Sequence, residues 1–307
     1  MTYTEKIFSF GPSGALQGIL VEPRGRSVEN APAILTWNVG LHHHIGPHRF
    51  FVTLTRALAA LGFTSLRFDI SGLGDSEVSR DDARPDPERA VADVREAMSA
   101  LTKQRKFQTF VPIGFCSSVD AAHAVGVSDP RVVGVIHLEG YGYRTKGFYL
   151  RYPLRFLNRN RWERLVRMRV LGDSEAAEEA SQDRERVYVR DYPSPKKLQS
   201  DVAAMVARGA ALLLVYVGGD TDYAYKEQFY EMIDGHAGSN RVEVDYYPDA
   251  DHTFFLEEDR RRVIQRIGFF LRKHFGVSAS APSVNGTSAS PTPASRVQTD
   301  SSPRAER

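Results

Sequence analysis

From about residue 33 to 276, apolar runs of strand length alternate with stretches whose apolar residues recur at helical spacing. Residues 33–37, 65–70, 109–113, 132–138, 211–217 and 242–247 are rich in Val, Ile, Leu and aromatics and predict strands. Several of these runs are continuously apolar rather than alternating, as expected for strands covered on both faces. Between them, helical patterns fall near 48–61, 87–101, 118–125, 195–208 and 226–233, and a last one near 257–275 closes the domain. This order predicts an α/β domain with a mostly parallel sheet and helices on both faces. The first 22 residues differ. Segments 6–10 and 16–21, joined by a turn containing Gly11-Pro12-Ser13-Gly14, predict an antiparallel hairpin at one edge.

One interval breaks the rhythm. Between residue 138 and residue 195 no strand pattern occurs, which is long for a connection and predicts a helical cap inserted at about 140–194. From residue 277 to 307 the chain is Ser, Ala, Pro and Thr with scattered charges, a composition that cannot offset its own ordering entropy, and it is expected to be a disordered tail.

Composition adds exclusions. A 42% hydrophobic, 25% charged chain is that of a globular protein, and a net charge of +2 exerts no general pull on nucleic acid. The single cysteine rules out an internal disulfide and a Cys-rich metal site. The first ten residues lack a basic and then apolar secretory run, so a cytoplasmic location is expected. The largely apolar stretch 209–219 is about half of what a bilayer span needs.

The chemistry concentrates at Gly114-Phe115-Cys116-Ser117-Ser118, where a strand runs into a helix. A sharp strand-to-helix turn crowds the positions two before and two after its apex. Of the three candidate nucleophiles, only Cys116 is flanked there by small residues, Gly114 and Ser118; Ser117 would have Phe115 and Val119, and Ser118 would have Cys116 and Asp120. Amides at the helix start favour an anion at the apex, which lowers a thiol pKa.

Downstream, Asp249-Ala250-Asp251-His252-Thr253 lies between the last strand and the last helix, and His252 is the candidate general base. The 211–217 strand ends in Gly218-Gly219-Asp220-Thr221-Asp222. An acid there would hold the second ring nitrogen of the histidine; Asp220 is preferred, with Asp222 and Glu139 as alternatives. The oxyanion hole is expected to combine the Ser117 N–H with one from the loop after 33–37, from Leu41 or Gly40. His42-His43-His44 in that loop does not predict a metal, since adjacent side chains diverge and no carboxylate stands at ligand spacing. Asp69-Ile70-Ser71-Gly72-Leu73-Gly74-Asp75-Ser76 lacks the third glycine of a dinucleotide loop and reads as a structural turn; no cofactor is expected.

Together these pieces resemble the α/β-hydrolase superfamily over roughly residues 5–276, with Gly114-x-Cys116-x-Ser118 in place of the G-x-S-x-G elbow. The likeness is to bacterial serine-aminopeptidase-like and exosortase-A-associated hydrolases, some of which carry a Cys-Ser pair at the elbow, and more distantly to dienelactone hydrolase. It implies an α/β-hydrolase fold and a nucleophile–acid–base triad in that chain order. The activity expected is esterase or thioesterase chemistry on a small-molecule acyl substrate, through a cysteine nucleophile and an acyl-enzyme. Acyl transfer on the same triad and a non-catalytic binding protein are the alternatives. The cap carries Arg144, Arg151, Arg155 and further arginines interleaved with aromatics such as Tyr149, which suggests an electropositive roof selecting an anionic acyl substrate.

Overall fold

The computed structural model describes residues 2–25, 27–78, 82–153, 190, 192–218, 222–233 and 240–276. Eight strands form one sheet: β1 (Tyr3–Phe10), β2 (Leu16–Pro23), β3 (Ala33–Trp37), β4 (Ser65–Phe68), β5 (Phe110–Phe115), β6 (Gly134–Leu138), β7 (Ala211–Val217) and β8 (Val242–Tyr247). Their order is β1-β2-β4-β3-β5-β6-β7-β8. The hairpin β1–β2 pairs antiparallel with itself and with β4, while β4, β3 and β5 to β8 are parallel. At Gly18 the hairpin passes so close to β4 that a Cβ would lie 2.6 Å from that of Phe68.

The continuously apolar strands divide their side chains between two cores. Leu35 and Trp37 on β3, with Leu212, Leu214 and Tyr216 on β7, face α2 (Asp86–Arg105), α3 (Val119–Ser128) and α5 (Pro195–Ala207). Ile34, Leu213, Val215 and Val217 face α1 (Phe50–Ala60) and α7 (Glu257–Phe275). The period-two alternation of a strand therefore buries both faces and keeps the sheet dry. Two short helices, α4 (Lys146–Arg151) and α6 (Gln228–Met232), lie between these layers in sequence.

Of the expected cap, α4 and the return at residues 190 and 192–194 are described; Arg155 and the 277–307 tail lie outside the described residues. Among the described residues no helix is long and apolar enough to cross a membrane.

Candidate active site

The carboxyl ends of β5, β6 and β8 converge at one edge of the sheet. Beyond β5 the chain makes a single tight turn, Cys116–Ser118, before α3 begins. Cys116 takes φ +52, in the left-handed region that side chains avoid. Gly114 is obligatory there, since a Cβ would lie 2.6 Å from Val119 Cα and 2.8 Å from the Ser118 carbonyl oxygen. Ser118 is more than small: its hydroxyl accepts from the Phe115 N–H at 2.7 Å and donates to the Phe115 carbonyl at 2.9 Å. That staple closes the turn upon itself.

His252 follows β8 and leans back toward the turn, its ring 5.9 Å from that of Phe115. Its Nδ1 is 3.1 Å from Oε2 of Glu139. Glu139 ends β6, is almost wholly buried, and also has positive φ, at +58. Its backbone N–H donates to Val215 on β7, which pins the turn to the sheet. Two residues past the imidazole, Phe254 has φ +52 as well. All three converging turns thus hold a side-chain-bearing residue in a conformation that only surrounding structure can enforce.

The electrostatics are coupled. Burial pushes the Cys116 thiol up, but the hydrogen bond and charge of His252, then the charge of Arg190 and the Ser117 N–H, bring it below the ordinary thiol range. Burial pushes His252 down, yet its hydrogen bonds to Cys116 and Glu139 and the negative charge of both raise it to about 10. With 47% of the His252 side chain open, solvent screens part of that field.

Of the three candidate acids, two are described. Asp222 does not meet the imidazole; it accepts from Arg144 Nε at 2.7 Å. Asp220 lies outside the described residues. Among the described carboxylates, Glu139 is the one bonded to His252. Strand order explains why: β6 lies between β5 and β7, so an acid at its end is one strand nearer the nucleophile.

Gly40 is brought against the Cys116 turn, its N–H donating to Ser117 Oγ at 2.7 Å. Leu41 stands out toward solvent.

Tertiary structure also supplies the carboxylate that local spacing denied the histidine run. The ligand atoms of His44, Asp69 and Asp75 all lie within 4.8 Å of one another. The Asp69 oxygens are already spent, however. Oδ1 accepts from Asn38 Nδ2 at 2.8 Å and the His44 N–H at 2.7 Å; Oδ2 faces His44 Nδ1 at 2.8 Å and accepts from the Asp75 N–H at 3.1 Å. This knot shapes the loop that carries Gly40, and its donor set is that of a folded turn rather than an ion cage.

The described cap arginines are paired. Arg144 pairs with Asp222, Arg151 lies 3.9 Å from Glu231 and over the Tyr225 ring, and Arg190 pairs with Asp120. Tyr149 is exposed. Arg190 was not singled out by sequence, where it is one arginine among many.

No protein-family model and no curated protein sequence matches the chain. Solved structures do. An esterase from Pyrococcus furiosus superposes with TM-score 0.56 at 13% identity, covering 89% of this chain and 94% of that one. The esterase domain of a Rhodothermus marinus protein gives 0.53 at 18% identity, covering 89% and 100%. The chain has the α/β-hydrolase fold. A Penicillium α/β hydrolase, GrgF, is similar on the same terms, at TM-score 0.55 and 16% identity over 90% and 99% of the two chains. At such identities the likeness carries the fold and leaves the chemistry to the residues of this hydrolase-fold chain.

Proposed function

We propose that this protein hydrolyses an ester or thioester through a Cys116–His252–Glu139 triad and a covalent acyl-enzyme. The observation that carries the reading is the pairing at the elbow. Cys116 sits at the apex with positive φ, and His252, held by Glu139 and packed beside Phe115, lowers its thiol.

In this reading the resting site holds a thiolate beside an imidazolium, because each partner favours the charged form of the other. The Cys116 sulfur attacks the carbonyl carbon, and the carbonyl π pair moves to oxygen. The Ser117 N–H, with the Gly40 N–H once it leaves the Ser117 hydroxyl, accommodates that oxyanion. As the tetrahedral species collapses, the bond to the leaving alcohol or thiol breaks and His252 gives it the proton. Water then attacks the thioester while the neutral imidazole takes its proton. Collapse expels the Cys116 thiolate and leaves the free acid, with His252 protonated again. Glu139 holds the Nδ1 proton throughout and fixes the ring orientation.

The reading commits to carbonyl chemistry and not to an anionic acyl group, since Arg144 and Arg151 are each paired with a carboxylate. A panel of short and long acyl esters and thioesters, offered to wild type and Cys116→Ala, tests it. Turnover by wild type that vanishes in the mutant supports the triad; equal turnover by both, or a wild type inert to the whole panel, counts against it.

A further inference from the structure

Arg190 stands at the return of the cap insertion, 74 positions after the nucleophile in sequence but in its electrostatic neighbourhood. Its side chain is only 13% exposed, an expensive place for a charge unless it is paired and hydrogen-bonded. The guanidinium is both. Nε and Nη2 reach Asp120 Oδ1 at 3.3 and 3.1 Å. Nη1 donates to the carbonyls of Glu139 at 3.4 Å and Gly140 at 3.3 Å, and to the Tyr192 hydroxyl at 3.2 Å. The plane lies over the rings of Tyr141 and Tyr192, at 5.2 and 4.7 Å from their centroids. One side chain therefore grips the first turn of α3, where Asp120 stands four residues past Cys116, and the strained turn that carries Glu139.

We propose that Arg190 is a positioning residue of this site: with Asp120 as its counter-ion, it locks the turn that carries Glu139 to the helix that follows Cys116. The proposal rests on Cys116 being the nucleophile. Its consequence is that the charge state of the sulfur depends on the Arg190 side chain being in place. A guanidinium suits the task because its planar fork reaches a carboxylate and two carbonyls at once; an ammonium supplies the charge without the fork.

The His252 imidazole on the β8–α7 loop and Arg190 lower the thiol; Glu139, after β6, acts on His252, and Asp120, on α3, pairs with Arg190. Arg190 lowers the thiol and the thiolate raises Arg190, a reciprocal coupling. Losing Arg190 removes a positive charge that lowers the thiol; losing Asp120 leaves Arg190 unopposed. The two substitutions must therefore move the thiol in opposite directions.

The test is the rate of Cys116 alkylation by iodoacetamide across pH 4 to 10, in proteins whose circular dichroism and melting match wild type. Arg190→Met should move the labelling midpoint up by about one unit, which slows labelling tenfold below it. Asp120→Asn should move it down, and the double variant should return toward wild type. Arg190→Lys should keep most of the midpoint yet lower kcat, because the acid turn is released, with KM changed by less than about twofold. Should Arg190→Met fail to fold, Asp120→Asn decides alone: a downward shift supports the proposal and an unmoved midpoint overturns it. Profiles of Arg190→Met and Asp120→Asn that superimpose on a low wild-type midpoint overturn the role of Arg190 and leave the triad standing. A wild-type midpoint at the free-thiol value, about 8.5, removes the nucleophile reading and this proposal with it.

Discussion

Oε2 of Glu139 lies 3.1 Å from Nδ1 of His252, across 113 residues of sequence. The carboxylate is sealed beneath an imidazole that is nearly half open to solvent. An acid buried below and a ring exposed above is the arrangement in which the tautomer is fixed from inside while Nε2 is left for the nucleophile.

Exchange of the acid follows directly. Glu139→Gln should reduce kcat by about 10²- to 10⁴-fold, as loss of a tautomer-fixing carboxylate does in related chemistry. Asp222→Asn should leave kcat within about threefold, since Asp222 is engaged by Arg144. Steady-state kinetics on one ester substrate separates the two; the reverse ranking would return the acid to the end of β7.

The pH profile has a defined sign. The thiol is lowered and His252 is raised to about 10, so the thiolate–imidazolium pair persists between the two pKa values. Activity of wild type should fall on the acid side as the thiolate is protonated and on the alkaline side as the imidazolium loses its proton near pH 10. Cys116→Ser removes the anion that raises His252, so an NMR titration of the imidazole should show its pKa moving down toward 6.5.

Gly114→Ala tests the turn. The added Cβ meets main-chain atoms of Ser118 and Val119 at under 3 Å, which cannot yield as a flexible side chain would. We expect destabilisation of about 2–4 kcal/mol by denaturant titration, with loss of Cys116 reactivity even where the fold survives.

A carboxylate far from the site sets an acid limit on stability. Glu243 on β8 takes Arg266 at 2.6 Å, Lys273 at 2.9 Å and His274 at 2.7 Å from α7. Burial pushes its carboxyl up, but these three partners outweigh it and hold it at about 2. A carboxyl lowered on folding stabilises above its unfolded value near 4.5 and loses that contribution as pH falls toward 2. Glu243→Gln should lower stability at pH 7 by on the order of 2 kcal/mol and flatten its dependence between pH 4.5 and 2 in thermal melts.

Much of this protein was legible along the chain because its determinants are local. Continuous apolar runs located β3 and β7 at their observed bounds, since a strand buried on both faces needs apolar residues at every position. The small residues around Cys116 located the nucleophile turn, because the crowding that demands them involves atoms within five residues. The acid was different. Two neighbouring parallel strands each end in a carboxylate loop, and nothing local says which one the imidazole faces. Among the described carboxylates, strand order and the reach of a glutamate from β6 bring Glu139 to the imidazole. Arg190 was hidden for the same reason: its partners Asp120, Glu139 and Gly140 come from two other segments, and a guanidinium among many in sequence acquires a role only where the fold buries it among them.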